Sequence, residues 1–229
     1  MIITHRGKHN NKLKENTIPA FEAALKAGAD AVECDLRLTL DNKVVVNHDN
    51  VSKKLSKDLD SVLAIDELFD YIRQKQEPFF LEVKNRSPIL IESIAKKIKD
   101  KKLWDRVHII GFSLFIKNAL HAQAQHKKLR VLPIINFPLY SYIKKPKKSY
   151  GLFIGWIDEW FGSQMLFRKL ISTNRLTELK HFYQDKGLKV MAGVINNKTG
   201  FEYFKKAGIK DVVTDNIKEA LSYFKSSKS

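Results

Sequence analysis

Cysteine is nearly absent from this sequence, and long apolar runs are missing altogether. The single cysteine, Cys34, excludes an internal disulfide and a zinc site made of several cysteines, and it suits a reducing compartment. No apolar run approaches the roughly 20 residues that a membrane-spanning helix requires. We therefore expect a chain that is soluble or, at most, bound to a membrane surface.

Targeting and nucleotide-binding signals are missing as well. The apolar start MII leads directly into THRG, without a basic leader, an apolar core or a small-residue cleavage site, and this predicts a cytoplasmic location. No apolar run is followed by GxGxxG, or by GxxxxGK with Ser or Thr after it. The sequence therefore gives no support to a dinucleotide-binding or P-loop domain.

Acidic residues are few compared with basic ones. The chain has 25 Asp and Glu against 41 Lys and Arg, so its formal net charge is +16. Such a charge attracts phosphates, anionic lipid surfaces or nucleic acid, and does not by itself choose among them. The chain has 229 residues, of which 44% are hydrophobic, and this suffices for one well-buried domain. We assign residues 1–225 to that domain and expect residues 226–229 to fray.

Short β-branched runs alternate with helical segments, which is typical of successive βα units. We expect Thr17 to cap the first helix, with Pro19 in its first turn and Gly28 at its end. The alternation fits a (β/α)8 TIM barrel or an open doubly wound sheet, and the missing nucleotide fingerprints favour a single-domain barrel. The candidate strands are MIITH, AVECDLRL, KVVVNH, PFFLEVK, RVHIIGF, LRVLPII, LKVMAGVI and IKDVVTD. Further helices are predicted at about residues 89–101, 114–126, 175–186, 199–206 and 218–224.

Carboxylates and basic residues stand near the ends of several of these strands. In AVECDLRL the side chains alternate between two faces, so Glu33 and Asp35 share one face. Two carboxylates so close together repel each other unless a cation lies between them, which favours a hard divalent metal ion. In PFFLEVK, Glu82 and Lys84 share a face in the same way.

Each of these features also has a purely structural interpretation. The two carboxylates of AVECDLRL would suit the solvated face of a surface strand. The Glu and Lys of PFFLEVK would suit an exposed ion pair, and His5 and His48 would suit ordinary surface or turn positions. Their joint occurrence at four strand ends within the first 84 residues favours an active site.

The same residues form an ordered series of motifs. HRG, ENT, ECD, HD and EVK follow one another through the first 84 residues, and AGIKDVVTDN ends the strand pattern. In order and spacing this series resembles the motifs of the glycerophosphodiester phosphodiesterases. The resemblance implies a (β/α)8 barrel that hydrolyses glycerophosphodiesters, such as glycerophosphocholine or glycerophosphoethanolamine, to glycerol 3-phosphate and an alcohol.

A metal site follows from the resemblance. It implies one divalent cation, Mg²⁺ or Ca²⁺, bound by Glu33, Asp35 and Glu82. Glu15, in ENT, matches another acidic position of the family, which either joins the metal ligands or orients the HRG residues.

The resemblance also implies the catalytic residues. His5 and His48 match the general acid and base, a role that suits imidazoles because they titrate near neutrality. Arg6 and Lys84 would bind the substrate phosphate and neutralise the charge of the transition state. In the implied mechanism the glycerol hydroxyl next to the phosphate attacks phosphorus, and water opens the cyclic product. An internal nucleophile explains why glycerol is required on one side of the diester.

Three features bear on the substrate pocket and on partners other than the diester. The insertion after the second strand is reduced, since only residues 50–81 separate HD from Glu82, and this predicts a small or missing lid. Gly193 stands where the family often has tryptophan, which predicts a wider pocket.

Residues 136–162 combine aromatic residues with lysines. They are interpreted as a lid or packing segment, as a contact with an anionic membrane, or, least expected, as a surface for nucleic acid. The sequence indicates no oligomeric state.

Two other functions stay open. A wide pocket and a basic aromatic segment also suit a lysophospholipase D that acts at a membrane surface. A non-catalytic basic lipid-binding barrel is the third alternative, although a decayed site usually loses a ligand or a histidine and this sequence retains them all.

Overall fold

The computed structural model describes residues 1–112, 114–135, 149–156 and 160–225. Ten strands form one sheet, and the sheet closes into a barrel because the first strand pairs with both the second and the last. The strands are β1 (Ile2–Thr4), β2 (Ala31–Leu38), β3 (Val44–Val46), β4 (Leu63–Ala64), β5 (Phe79–Val83), β6 (Val107–Phe112), β7 (Arg130–Ile135), β8 (Gly151–Ile154), β9 (Lys189–Val194) and β10 (Val212–Thr214).

Eight of these strands are parallel and make the barrel, in the order β1, β2, β5, β6, β7, β8, β9 and β10. Around them lie α1 (Ile18–Lys26), α2 (Ile65–Arg73), α3 (Pro88–Asp100), α4 (Lys117–Gln125), α5 (Ser163–Leu170), α6 (Thr173–Gln184), α7 (Lys198–Lys206) and α8 (Ile217–Lys225). The predicted (β/α)8 fold class is confirmed. None of the helices in the described ranges is long and apolar enough to cross a membrane.

The prediction that KVVVNH forms a barrel strand is wrong. Its residues form β3, which pairs antiparallel with the end of β2, at residues 36–38, and then with β4. This hairpin extends β2 beyond the barrel rather than entering it. The insertion after the second strand is therefore a small two-stranded structure that precedes α2.

Strand β8 takes the place of KVVVNH in the barrel, although it was not among the predicted strands. It lies within residues 136–162, of which 136–148 and 157–159 fall outside the described residues. Phe153 and Trp156 are buried, so the packing interpretation holds for that part of the segment. A four-residue apolar strand that is buried on both faces shows no alternation, and this explains why it was missed.

Most helices begin and end within three residues of the predicted positions. Thr17 caps α1, because its hydroxyl accepts a hydrogen bond from the amide of Ala20 at 3.4 Å. Gly28 follows that helix with a φ of +95°, a conformation that favours glycine. Helices α2 and α5 were not among the predicted helices.

The strand alternation divides the core into an inner and an outer layer. On β2, Ala31 belongs to the cluster inside the barrel, whereas Val32, Cys34 and Leu36 pack in the outer layer against the helices. The inner cluster takes one residue from each barrel strand: Ile3, Ala31, Phe80, Ile110, Leu132, Phe153, Met191 and Val213. Polar side chains that follow these residues on the same face must therefore meet above this apolar layer, at the C-terminal end of the barrel.

Candidate active site

Three carboxylates meet at that end of the barrel. Glu33, Asp35 and Glu82 each offer an oxygen, and these oxygens lie within 4.8 Å of one another. Asp35 and Glu82 are opposite each other in the pairing of β2 with β5, and Glu33 precedes Asp35 on the same face. All three are buried, with at most 6% of the residue exposed. Such a cluster needs cations, because isolated buried charges are costly.

Two basic side chains contact the cluster. The Nζ of Lys84 lies 3.0 Å from Oε2 of Glu82 and 3.1 Å from Oδ1 of Asp35. The Nε of Arg6 lies 3.0 Å from Oδ2 of Asp35, and the backbone amide of Arg6 donates a hydrogen bond to Glu33 at 3.1 Å. The HRG and EVK motifs are thereby joined through the ECD motif.

Asn16 holds Asp35 in place, although it was not among the predicted site residues. Its Nδ2 donates to Oδ2 of Asp35 at 2.9 Å, and its Oδ1 accepts from the backbone amide of Asp35 at 3.1 Å. Asn16 is buried and has a φ of +57°, a left-handed conformation that asparagine adopts more readily than most residues. The position of Asn16 within the ENT motif was the sequence signal that could have indicated this role.

His5 is oriented from the last strand of the barrel. Its Nδ1 lies 2.9 Å from Oδ1 of Asp215, which follows β10. Asn196 holds Asp215 in turn, donating from Nδ2 at 2.6 Å and accepting the backbone amide of Asp215 at 2.8 Å. Asp215 and Asn196 were not among the predicted site residues, although Asp215 lies in the TDN sequence.

His48 is positioned through its backbone. Its carbonyl oxygen accepts hydrogen bonds from Nε and Nη2 of Arg37, at 3.0 and 2.6 Å, while Nη1 of Arg37 donates to the carbonyl of Lys84 at 3.2 Å. The His48 ring is 29% exposed and lies 3.2 Å from the Asp49 carboxylate. Arg37, a further residue that the sequence analysis did not single out, thus links the HD and EVK motifs.

Glu15 lies outside the carboxylate cluster. Its Oε2 accepts a hydrogen bond from Nη1 of Arg6 at 3.4 Å and lies 3.9 Å from Nε2 of His9. Its side chain is 31% exposed, unlike the three clustered carboxylates. Of the two predicted roles for Glu15, this geometry favours the orientation of Arg6.

The pKa values of the three clustered carboxyls are shifted in different directions. Burial, with the Asp35 carboxylate beside it, raises the pKa of Glu33 to about 8, and burial also raises the pKa of Glu82. Burial acts on Asp35 too, but Lys84 and Arg6 outweigh it and lower the pKa of Asp35. For His5, burial favours the neutral ring, yet the hydrogen bond to Asp215 prevails and the pKa of His5 is raised.

The cluster fits a hard divalent cation. The Oε1 atoms of Glu33 and Glu82 are buried and accept no hydrogen bond from the described residues. The raised pKa values of Glu33 and Glu82 show that Arg6 and Lys84 alone do not keep all three carboxyls ionised, and a bound cation would favour the ionised forms. A donor set made only of carboxylate oxygens suits Mg²⁺ or Ca²⁺.

A cavity of about 410 Å³ opens above the cluster. One side is polar and includes His5, Arg6, Glu33, Glu82 and Lys84. The other side is apolar and is formed by Ile110, Phe112, Leu114, Phe115, Ile134, Phe153, Trp156, Trp160, Val194 and Val213. Gly193 also lines the cavity, so no side chain narrows it there. Asp35, His48 and Glu15 are not among the lining residues.

The fold and the residues gathered at the C-terminal strand ends are those of a barrel enzyme. The model of the Glycerophosphoryl diester phosphodiesterase family matches residues 5–76, which contain HRG, ENT, ECD and HD. A glycerophosphodiester phosphodiesterase of Caldanaerobacter subterraneus subsp. tengcongensis is 25% identical over 94% of this chain and 94% of its own. In sequence the chain is therefore similar to enzymes of the glycerophosphodiester phosphodiesterase family, as the motif resemblance predicted.

Two further similarities bear on the site. The mouse lysophospholipase D GDPD3 is 26% identical over 93% of this chain and 78% of its own length. In structure, the chain is similar to an Oleispira antarctica phosphodiesterase solved in complex with the product sn-glycerol-3-phosphate. The TM-score is 0.76 at 18% identity, covering 98% of this chain and 96% of that one. The structural likeness shows the same fold.

Proposed function

We propose that this protein hydrolyses glycerophosphodiesters to glycerol 3-phosphate and an alcohol, with the help of one divalent cation. The observation that carries the proposal is the convergence of Glu33, Asp35 and Glu82 with Arg6 and Lys84 below one cavity. Carboxylates that bind a cation, beside two basic side chains, form a site for the anionic phosphate of a diester.

Glu33, Asp35 and Glu82 would hold Mg²⁺ or Ca²⁺. When bound, the cation would favour the ionised forms of the clustered carboxylates and polarise the phosphate oxygens. Arg6 and Lys84 would contact the remaining phosphate charge, and their contacts with Asp35, at 3.0 and 3.1 Å, hold them in position. Glu15 would orient Arg6 rather than bind the cation.

His5 and His48 would move the protons. Since Asp215 contacts Nδ1 of His5, Nε2 of that ring is the nitrogen available for proton transfer. One histidine would accept the proton of the attacking glycerol hydroxyl and the other would protonate the departing alcohol. Proximity of the glycerol hydroxyl to phosphorus would favour a cyclic phosphate, which water would then open.

The histidine roles are tested by turnover of glycerophosphocholine by wild type, His5→Ala and His48→Ala. General acid and base catalysis each contribute about 10²-fold or more, so each variant should lose at least that factor in kcat while its unfolding temperature stays near that of wild type. His9→Ala is a matched control, since His9 belongs to the same loop and contacts Glu15. Near-normal turnover by His5→Ala or His48→Ala would contradict the assigned role.

A second candidate is a lysophospholipase D activity on the same site. The apolar side of the cavity favours it, because an acyl chain needs apolar walls and choline does not. The similarity to mouse lysophospholipase D GDPD3 points in the same direction. Higher kcat/KM for lysophosphatidylcholine than for glycerophosphocholine would establish this version, and the reverse order would exclude it as the main activity.

Location and partners belong to the same proposal. A cytoplasmic enzyme fits the single buried cysteine, and fractionation of cells that produce the chain would test it. We expect no binding of nucleic acid at physiological salt, which a filter-binding assay with single-stranded DNA would check.

A further inference from the structure

The exposed apolar side chains of this protein share one location. Within the described ranges, every large apolar residue that is exposed follows the C-terminal end of a barrel strand. Leu40 follows β2, Ile89 lies in the first turn of the helix after β5, and Leu114 follows β6. The other exposed residues follow β8 and are Trp160, Phe161, Met165, Leu166 and Leu170.

Helix α5 presents three of these side chains. It is an additional short helix between β8 and α6, and Phe167 is its buried residue. Leu166 and Leu170 lie one turn apart on the same side and are 50% and 56% exposed, while Met165 is 73% exposed. Phe161, just before the helix, is fully exposed. Exposing this much apolar surface is unfavourable in water, so it indicates an interaction site.

The exposed surface continues into the active-site cavity. Leu114 and Trp160 are each more than half exposed, and both also line the cavity that contains His5 and Glu33. We call Leu114, Trp160, Phe161, Met165, Leu166 and Leu170 the apolar rim. A partner that covers the apolar rim would therefore lie against the mouth of the site.

Basic residues accompany the apolar rim. Arg168 and Lys169 are exposed on α5 itself, and Lys117 is exposed in the first turn of the helix that follows Leu114. Apolar side chains next to cations are the combination that binds an anionic membrane interface. We propose that the apolar rim docks this protein on anionic phospholipid bilayers, with the mouth of the active site facing the lipid.

The charge of the chain favours a bilayer over other occupants. A second copy would bring another net charge of +16 and another Arg168 and Lys169 against the same surface, and like charges oppose that contact. Nucleic acid binds to aromatic side chains by stacking, whereas Met165, Leu166 and Leu170 offer no ring. The proposal concerns where the enzyme works and holds whichever diester it cleaves.

Flotation with vesicles of phosphatidylcholine, with and without phosphatidylglycerol, tests the docking surface. Wild type should bind the vesicles that contain phosphatidylglycerol, and added salt should weaken the binding. The variant Phe161→Ser/Leu166→Ser should bind them about tenfold more weakly or worse, because two exposed apolar side chains no longer enter the interface. Its unfolding temperature and its turnover of soluble glycerophosphocholine should match wild type, since neither residue lines the cavity.

The matched control is Leu40→Ser/Ile89→Ser, which also removes two exposed apolar side chains but leaves the apolar rim intact. It should bind vesicles as wild type does. A blue shift of tryptophan emission on vesicle binding, abolished by Trp160→Phe, would place the apolar rim in the lipid. Equal vesicle binding by the two double variants would overturn the proposal. So would an oligomer of wild type that dissociates in Phe161→Ser/Leu166→Ser, because a second copy would then cover the apolar rim.

Discussion

The Nδ1 of His5 lies 2.9 Å from Oδ1 of Asp215, two residues separated by almost the whole chain. His5 follows β1 and Asp215 follows β10, and these strands are neighbours only because the barrel closes. The closure of the sheet therefore brings to His5 the carboxylate that orients its ring and raises its pKa.

Replacement of Asp215 tests this relationship. Burial lowers the pKa of His5 and Asp215 raises it, so Asp215→Asn should shift the pH limb of kcat/KM that reports His5 to lower pH. We expect kcat to fall by about 10-fold to 10²-fold, because the ring loses the partner that fixes its tautomer. The pH profile of kcat/KM is the measurement, and an unchanged profile in the variant would show that Asp215 has only a structural role.

Metal affinity should depend on Glu33 and not on Glu15. Glu33→Gln removes one carboxylate from the buried cluster and should weaken Mg²⁺ or Ca²⁺ binding by about tenfold or more, measured by titration calorimetry. Glu15→Gln is the matched control, because Glu15 contacts Arg6 but lies outside the cluster. Without metal, Glu33→Gln should melt near the wild-type temperature at neutral pH, since the raised pKa of Glu33 already keeps that carboxyl largely protonated. Equal losses of affinity in the two variants would place Glu15 among the ligands.

Gly7 should tolerate no side chain. Its φ is +82°, and a Cβ there would lie 2.8 Å from the backbone carbon of Ala20. Gly187 has a similar φ of +74° but open space around it. Gly7→Ala should therefore lower the free energy of unfolding by about 1–2 kcal/mol more than Gly187→Ala, which suffers only the backbone strain. Denaturant unfolding of both variants measures the difference, and equal losses would mean that the first helix moves freely away from Gly7.

His108 should make the protein less stable in mild acid. It is stacked on Phe80 inside the barrel, and burial, with Arg130 and Lys189 nearby, lowers its pKa to about 3. Between pH 6.5 and 3 the unfolded chain binds a proton at His108 that the folded chain does not, so stability falls as the pH falls. The loss at pH 5 is on the order of 2 kcal/mol relative to pH 7.

His108→Phe isolates that contribution. The variant keeps a ring against Phe80 and cannot titrate, so its free energy of unfolding should decline less between pH 7 and pH 5 than that of wild type. Denaturant unfolding at both pH values gives the comparison. Parallel declines in wild type and variant would show that His108 is protonated equally in the folded and unfolded states.

The barrel and much of the site could be predicted from local sequence. Alternation along β2 is a property of any strand, so Glu33 and Asp35 had to share a face whatever the fold. In the structure, both carboxylates lie in one cluster with Glu82, Arg6 and Lys84 at the C-terminal end of the barrel. The alternation of strands and helices favoured the barrel, the motif resemblance implied the same fold, and the closed sheet confirms it, while the roles of these residues stay predictions.

The remaining features depend on contacts between distant parts of the chain. Asp215 reaches His5 only through barrel closure. Arg37 reaches His48 because the β3 hairpin bends back along β2, and it reaches Lys84 because β5 pairs with β2. The β3 run was mistaken for a barrel strand because a β-branched run looks alike in parallel and antiparallel pairs. Periodicity within one segment carries no information about which strand becomes its neighbour.

Release of glycerol 3-phosphate from glycerophosphocholine and glycerophosphoethanolamine tests the central claim most directly. The purified protein is treated with EDTA, assayed, and assayed again after Mg²⁺ or Ca²⁺ is restored. We predict no release without metal and full release once the metal is returned. Release that is unaffected by EDTA, or no release with either metal, would contradict a metal-dependent glycerophosphodiester phosphodiesterase.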